Sequence, residues 1–65
     1  IGPDAAKILT ALNNSHGFLP YNDKSDADDI RLAFGISKGS FKKALGHLMK
    51  AKLIRQTDEG IESLK

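Results

Sequence analysis

Apolar residues recur along this chain first at helical and later at alternating spacings. Ala5, Ile8, Leu9 and Leu12 fall at i, i+3, i+4 and i+7, on one side of a helix. That helix is predicted to begin at Pro3 or Asp4, since proline is tolerated in a first turn and aspartate suits its positive end. Asn13-Asn14-Ser15-His16-Gly17 ends it. Phe18-Leu19 is a very short extended piece stopped by Pro20, and residues 21–24 are a loop. A second helix is predicted from Ser25, with Ser25 as its cap and Asp28 as a capping-box-like partner. Asp26, Asp28 and Asp29 occupy its first turn, Ile30, Ala33 and Phe34 its buried face, and Gly35 closes it in the left-handed conformation. Only Ile36 then precedes Ser37, the predicted cap of a third helix running to about Ala51. Its stripe of Phe41, Ala44, Leu45, Leu48 and Met49 is the most regular helical pattern in the chain. Residues 53–57 read as a strand, Asp58-Glu59-Gly60 as a hairpin turn and residues 61–64 as the return strand.

Two helices joined through a glycine and followed by a two-stranded wing form the winged helix-turn-helix unit. The predicted fold class is α+β: three helices with a small antiparallel sheet, Phe18-Leu19 supplying the third strand. Phe18, Phe34 and Phe41 are assigned to the core. The 65 residues allow one domain, and 40% hydrophobic content supports one modest core and is too high for a disordered tail. There is no cysteine, hence no disulfide or thiolate metal site. No apolar run is long enough for a transmembrane span and no signal-peptide pattern is present, which fits the cytoplasm. The chain starts at Ile1 rather than Met and is expected to be a module, residues 1–65, of a longer protein.

Charge is segregated. Residues 1–35 carry three cations against five acids, and residues 36–65 seven cations, Lys65 included, against three acids. Between Ser37 and Arg55 there are six cations and no acid. On the third helix the face opposite the apolar stripe is Gly39, Lys42, Lys43, Gly46, His47 and Lys50, with Lys38 near its start. With no acid among them, these lysines are not placed for i,i+4 pairing. Such a face neutralises phosphates, whereas a lone lysine face is most often merely solvated. Gly39 and Gly46 each cost roughly 1 kcal/mol in a helix relative to alanine and suit close approach by a partner's backbone. Reading of base edges relies on Arg, Asn or Gln, which this face lacks; contact through Lys38, Lys42, Lys43, His47 and Lys50 is expected to be sequence-blind. Arg55 reaches toward phosphate from the first wing strand, while Asp58 and Glu59 at the tip oppose insertion of the wing into DNA. Tyr21 has two readings: a platform for an unpaired base, or a ring covering the edge of the core.

The acids Asp23, Asp26, Asp28 and Asp29 lack the glycine and glutamate of a calcium loop, and His16 and His47 are too sparse for zinc. No phosphate loop or catalytic constellation is present. The chain is read as non-enzymatic and without a cofactor.

The stretch Gly17-Phe18-Leu19-Pro20-Tyr21-Asn22-Asp23-Lys24-Ser25, with Phe34-Gly35-Ile36-Ser37-Lys38 and Phe41-Lys42-Lys43-Ala44-Leu45-Gly46, resembles the C-terminal winged-helix domain of the conserved virulence factor B family. The similarity spans residues 4 to 64, and Leu-Pro-Tyr-x-Asp-Lys-Ser is its most specific part. The resemblance implies an accessory domain of a cytoplasmic RNA-binding protein, preceded in its chain by several OB-fold domains. Arg31 departs from ordinary DNA-binding helix-turn-helix units, where the position four before the turn glycine is small; the helices are expected to cross more openly, against standard major-groove docking. The expected partners are therefore RNA, with DNA second, and the preceding domains of the same chain, in a monomer without membrane contact. The rival reading is a protein-interaction or interdomain packing module with no nucleic-acid contact of its own. A third, a duplex-operator regulator, requires a dimer to span half-sites.

Overall fold

A computed structural model describes residues 2–64. Ile1 and Lys65 lie outside the described residues. Three helices and three strands follow in the order α1 (Pro3–Asn14), β1 (Phe18–Leu19), α2 (Ala27–Phe34), α3 (Lys38–Lys50), β2 (Ile54–Thr57) and β3 (Gly60–Ser63). This is the winged-helix architecture, α+β, with a three-stranded antiparallel sheet ordered β1-β3-β2.

The helices form where the periodicity places them. α1 starts on a proline and buries Ala5, Ile8 and Leu12. α2 buries Ile30 and Phe34 and closes on Gly35 at φ 71°, the left-handed position where glycine carries no Cβ penalty. α3 is capped by Ser37, whose hydroxyl accepts from the Ser40 N–H at 3.1 Å, and buries Phe41, Ala44, Leu45 and Leu48. Leu19 of β1 lies opposite Ile61, and Gln56 lies opposite the same residue from β2. The largest fully buried side chains are Phe41, Ile8, Leu12, Ile30, Leu45, Leu48, Ile54 and Ile61, so every helix and both wing strands feed one core. Phe34 stacks on Phe41 with centroids 5.2 Å apart, and Tyr21 meets Phe34 edge-on at 5.5 Å.

Four sequence expectations change. Ala33 is exposed, so the buried face of α2 is Ile30 and Phe34. Ser25 does not cap α2: Asp26 occupies that position without a side-chain cap bond, and the helix begins at Ala27. The Ser25 hydroxyl is instead taken by the Asn22 N–H, at 3.0 Å. Phe18 is not core but 39% exposed, because β1 alternates and its buried position belongs to Leu19. Gly60 belongs to β3, not to the turn. A Cβ there would overlap the Leu19 carbonyl and come within 2.9 Å of Pro20 Cα, so glycine is what lets β1 reach the wing.

Residues 19–25 form a strap between sheet and helices. Asn22, the one buried polar residue among those described, donates from Nδ2 to the Thr57 carbonyl at 2.8 Å and accepts at Oδ1 from the Lys24 N–H at 2.9 Å. The neighbouring Asp23 N–H donates to Gln56 Oε1 at 2.9 Å. Replacing Asn22 by alanine leaves these part-buried partners without their bonds and is expected to cost about 1–3 kcal/mol. The exposed Asp23 carboxylate makes no such bonds, and Asp23→Ala should stay within about 0.5 kcal/mol of the parent. Urea unfolding of the two variants checks both; equal stabilities would show that the strap does not hold the wing.

Candidate nucleic-acid interface

Burial of the inner stripe of α3 leaves Gly39, Lys42, Lys43, Gly46, His47 and Lys50 exposed along its other side, with Lys38 half-buried at its start. At 1.5 Å per residue, Lys38 and Lys50 stand roughly 18 Å apart along the axis. Among the described residues the single ion pair joins Arg55 to Glu62; no carboxylate pairs with a lysine of α3. The aspartates at 26, 28 and 29 are spent at the start of α2, where the dipole favours them.

The start of α3 is arranged the other way. Acids stand in the first turns of α1 (Asp4) and α2 (Asp28, Asp29), whereas α3 has none there and opens on Lys38. A cation at a helix N-terminus opposes the macrodipole by some tenths of a kcal/mol. Helix stability therefore does not account for Lys38, although it does account for His47 and Lys50 in the last turn.

The glycines of this face have no internal use. A Cβ at Gly46 would meet nothing within 4 Å, and one at Gly39 only the Ser37 hydroxyl at 3.9 Å. The open strip they leave between the lysines brings the backbone within reach of a partner.

The remaining candidates sit elsewhere. Arg55 faces Glu62 across β2 and β3, and both stand on the outward side of the sheet beside Phe18. Tyr21 lies in the strap with its ring against Phe34, as the core-edge reading expects. At the wing tip, Thr57 Oγ1 accepts from the N–H groups of Glu59 and Gly60, each at 3.2 Å, and Asp58 and Glu59 project as turn residues. Arg31 is exposed.

One feature went unseen in the sequence. A groove of about 320 Å³ opens between the first turn of α1 and α3, lined by Pro3, Asp4, Ser40, Lys43, Ala44 and His47 among others. No spacing announces it, because its walls come from opposite ends of the helical part of the chain. Among the described residues no group of three His, Cys, Asp or Glu side chains is placed to hold a metal ion, and no helix is long and apolar enough to cross a membrane.

Comparison with known proteins supplies the context. The model of a family described as the CvfB-like winged helix domain matches residues 6–62. The Bacillus subtilis protein YitL is 57% identical over 47 residues, which cover 72% of this chain and 16% of YitL. A conserved virulence factor B from Staphylococcus epidermidis is 49% identical over 51 residues, 78% of this chain and 17% of that protein. The crystal structure of a multidomain protein with nucleic acid binding domains from Streptococcus pneumoniae superposes with a TM-score of 0.96 at 55% identity. It covers 98% of this chain, which in turn spans 22% of it. The chain thus corresponds to about a fifth or less of each relative.

Because nothing in the fold requires Gly46, Gly46→Ala should raise stability by about 1 kcal/mol, the helix-propensity difference. Thermal unfolding measures it. A loss of stability instead would mean that the glycine serves the fold rather than an external contact.

Proposed function

Since the chain belongs to the family of CvfB-like winged helix domains, we propose that it serves a larger cytoplasmic RNA-binding protein as a nucleic-acid-binding accessory module. In this reading α3 lies along the strand, and Lys38, Lys42, Lys43 and Lys50 neutralise phosphates without reading base sequence. His47 adds a hydrogen-bonding group on the same face. The observation that carries the reading is a cationic helix face with no acid paired to it, beginning with a lysine that its own helix dipole disfavours. Lysine point charges and exposed glycine suit backbone contact, while discrimination among bases calls for side chains that present a fork of donors and acceptors.

RNA is favoured over duplex DNA by the acidic wing tip, which repels a phosphate backbone at the place where a wing would grip a minor groove. The multidomain relative from Streptococcus pneumoniae carries nucleic acid binding domains, and this chain spans about a fifth of it. That supports a module working beside other binding domains.

A packing role is supported by a different surface. Phe18, 39% exposed, stands on the outward side of the sheet, and Leu64, just beyond β3, is 51% exposed. A neighbouring domain covering the sheet leaves α3 free, so the two roles are compatible in one molecule.

The lysine surface is tested by titrating single-stranded RNA into the parent and into the double variant Lys42→Glu, Lys43→Glu. The variant should lose affinity uniformly across sequences. If about four phosphates are neutralised, log affinity in the parent should fall with log salt with a slope near −3. A slope near zero, or unchanged binding by the double variant, would remove α3 from the interface.

A further inference from the structure

The groove beside α3 adds a second contact to that reading, on which it rests. We infer that it takes one unpaired base of the bound strand, and that Asp4 makes guanine the preferred base. Ser40, Lys43, Ala44 and His47 recur at i, i+3, i+4 and i+7, a single stripe of α3 turned toward the first turn of α1. Lys43 and His47 therefore border both the groove and the phosphate face. A strand whose phosphates follow Lys42 and Lys43 has its base positioned at the mouth of the groove.

The lining matches the chemistry of a base. A nucleobase has flat apolar faces and a polar edge. Pro3 and Ala44 supply apolar wall; Asp4 and Ser40 supply polar groups. Asp4 is half-buried and makes no ion pair or hydrogen bond through its side chain, although Lys43 lines the same groove. An ionised carboxylate only accepts. Guanine presents two donors side by side on its pairing edge, the N1–H and the 2-amino group, and one carboxylate accepts both. Uracil sets two carbonyl oxygens around its one donor, and these repel the carboxylate. In a duplex the guanine donors are already engaged, so the groove also selects single strands. Stabilisation of the α1 dipole explains an acid in this turn but not the cavity beside it.

The inference is tested by fluorescence anisotropy with oligouridine and with the same strand carrying one central guanosine or one inosine. The guanosine strand should bind about fivefold tighter, the lower end of what a two-point base contact supplies. Inosine, which lacks the 2-amino donor, should fall between. Asp4→Ala should bring the guanosine-to-uridine ratio to about one while raising affinity for oligouridine, since a negative charge leaves the surface; circular dichroism verifies its fold. Lys42→Glu with Lys50→Glu, neither of which lines the groove, should weaken all strands equally and keep the ratio. Equal binding of the strands by the parent, or a ratio that survives Asp4→Ala, overturns the guanine site even where the lysine variant shows that α3 binds RNA. Absence of RNA binding by the parent overturns the site and the lysine surface together.

Discussion

Phe41, Ala44, Leu45 and Leu48 bury one side of α3, and that burial decides which side faces the solvent. Fully burying a Leu or Phe side chain contributes about 1.5–3 kcal/mol, while a whole domain is stable by only about 5–15 kcal/mol. A rotation of α3 that brought its lysines inward would forfeit more than a chain of this size has to lose. α1, α2 and the sheet are therefore set against a fixed helix, and the cationic face is fixed along with the greasy one. Core and candidate interface are two sides of a single pattern.

The strap extends this constraint to the wing. Leu19 enters the core, Pro20 passes Gly60, Tyr21 leans on Phe34, and Asn22 bonds the Thr57 carbonyl. Residues 19–25 thus have a structural role: they tie the sheet to the helices across a long sequence separation. Contacts with a ligand fall instead to α3, whose outer residues have few internal duties. A recognisable motif and a binding surface need not coincide.

Much of the fold was legible in the sequence because helical periodicity is a local signal. The stripes of α1 and α3, the glycine at 35 and the serine at 37 all behave as their chemistry indicates. Features set by competition were less legible. Ser25 and Asp26 are both good caps, and the loop settles the matter by binding the Ser25 hydroxyl to Asn22. Phe18 and Leu19 are both apolar in a strand two residues long, so alternation cannot say which one points inward. After α1 and α3, His16 (φ 59°) and Lys52 (φ 61°) turn the chain through left-handed conformations that glycine usually supplies. At Lys52 the turn is held by bonds from the Lys52 N–H to the Met49 carbonyl and from the Leu53 N–H to the Leu48 carbonyl, each 3.0 Å. The lysine face was legible residue by residue, since amphipathicity in α3 fixes both of its sides. The groove was not, because Asp4 and His47 meet only through tertiary packing.

Whether the outer face of α3 meets a polyanion is read from a residue-by-residue map of contact in solution. Amide chemical shifts of the labelled protein would be followed during titration with short single-stranded RNA at low salt. The perturbed amides should run along residues 38–50 and onto the first turn of α1, with β2 and β3 unmoved. Perturbations confined to the outward side of the sheet around Phe18, Arg55 and Glu62, or no perturbation at all, would contradict that contact.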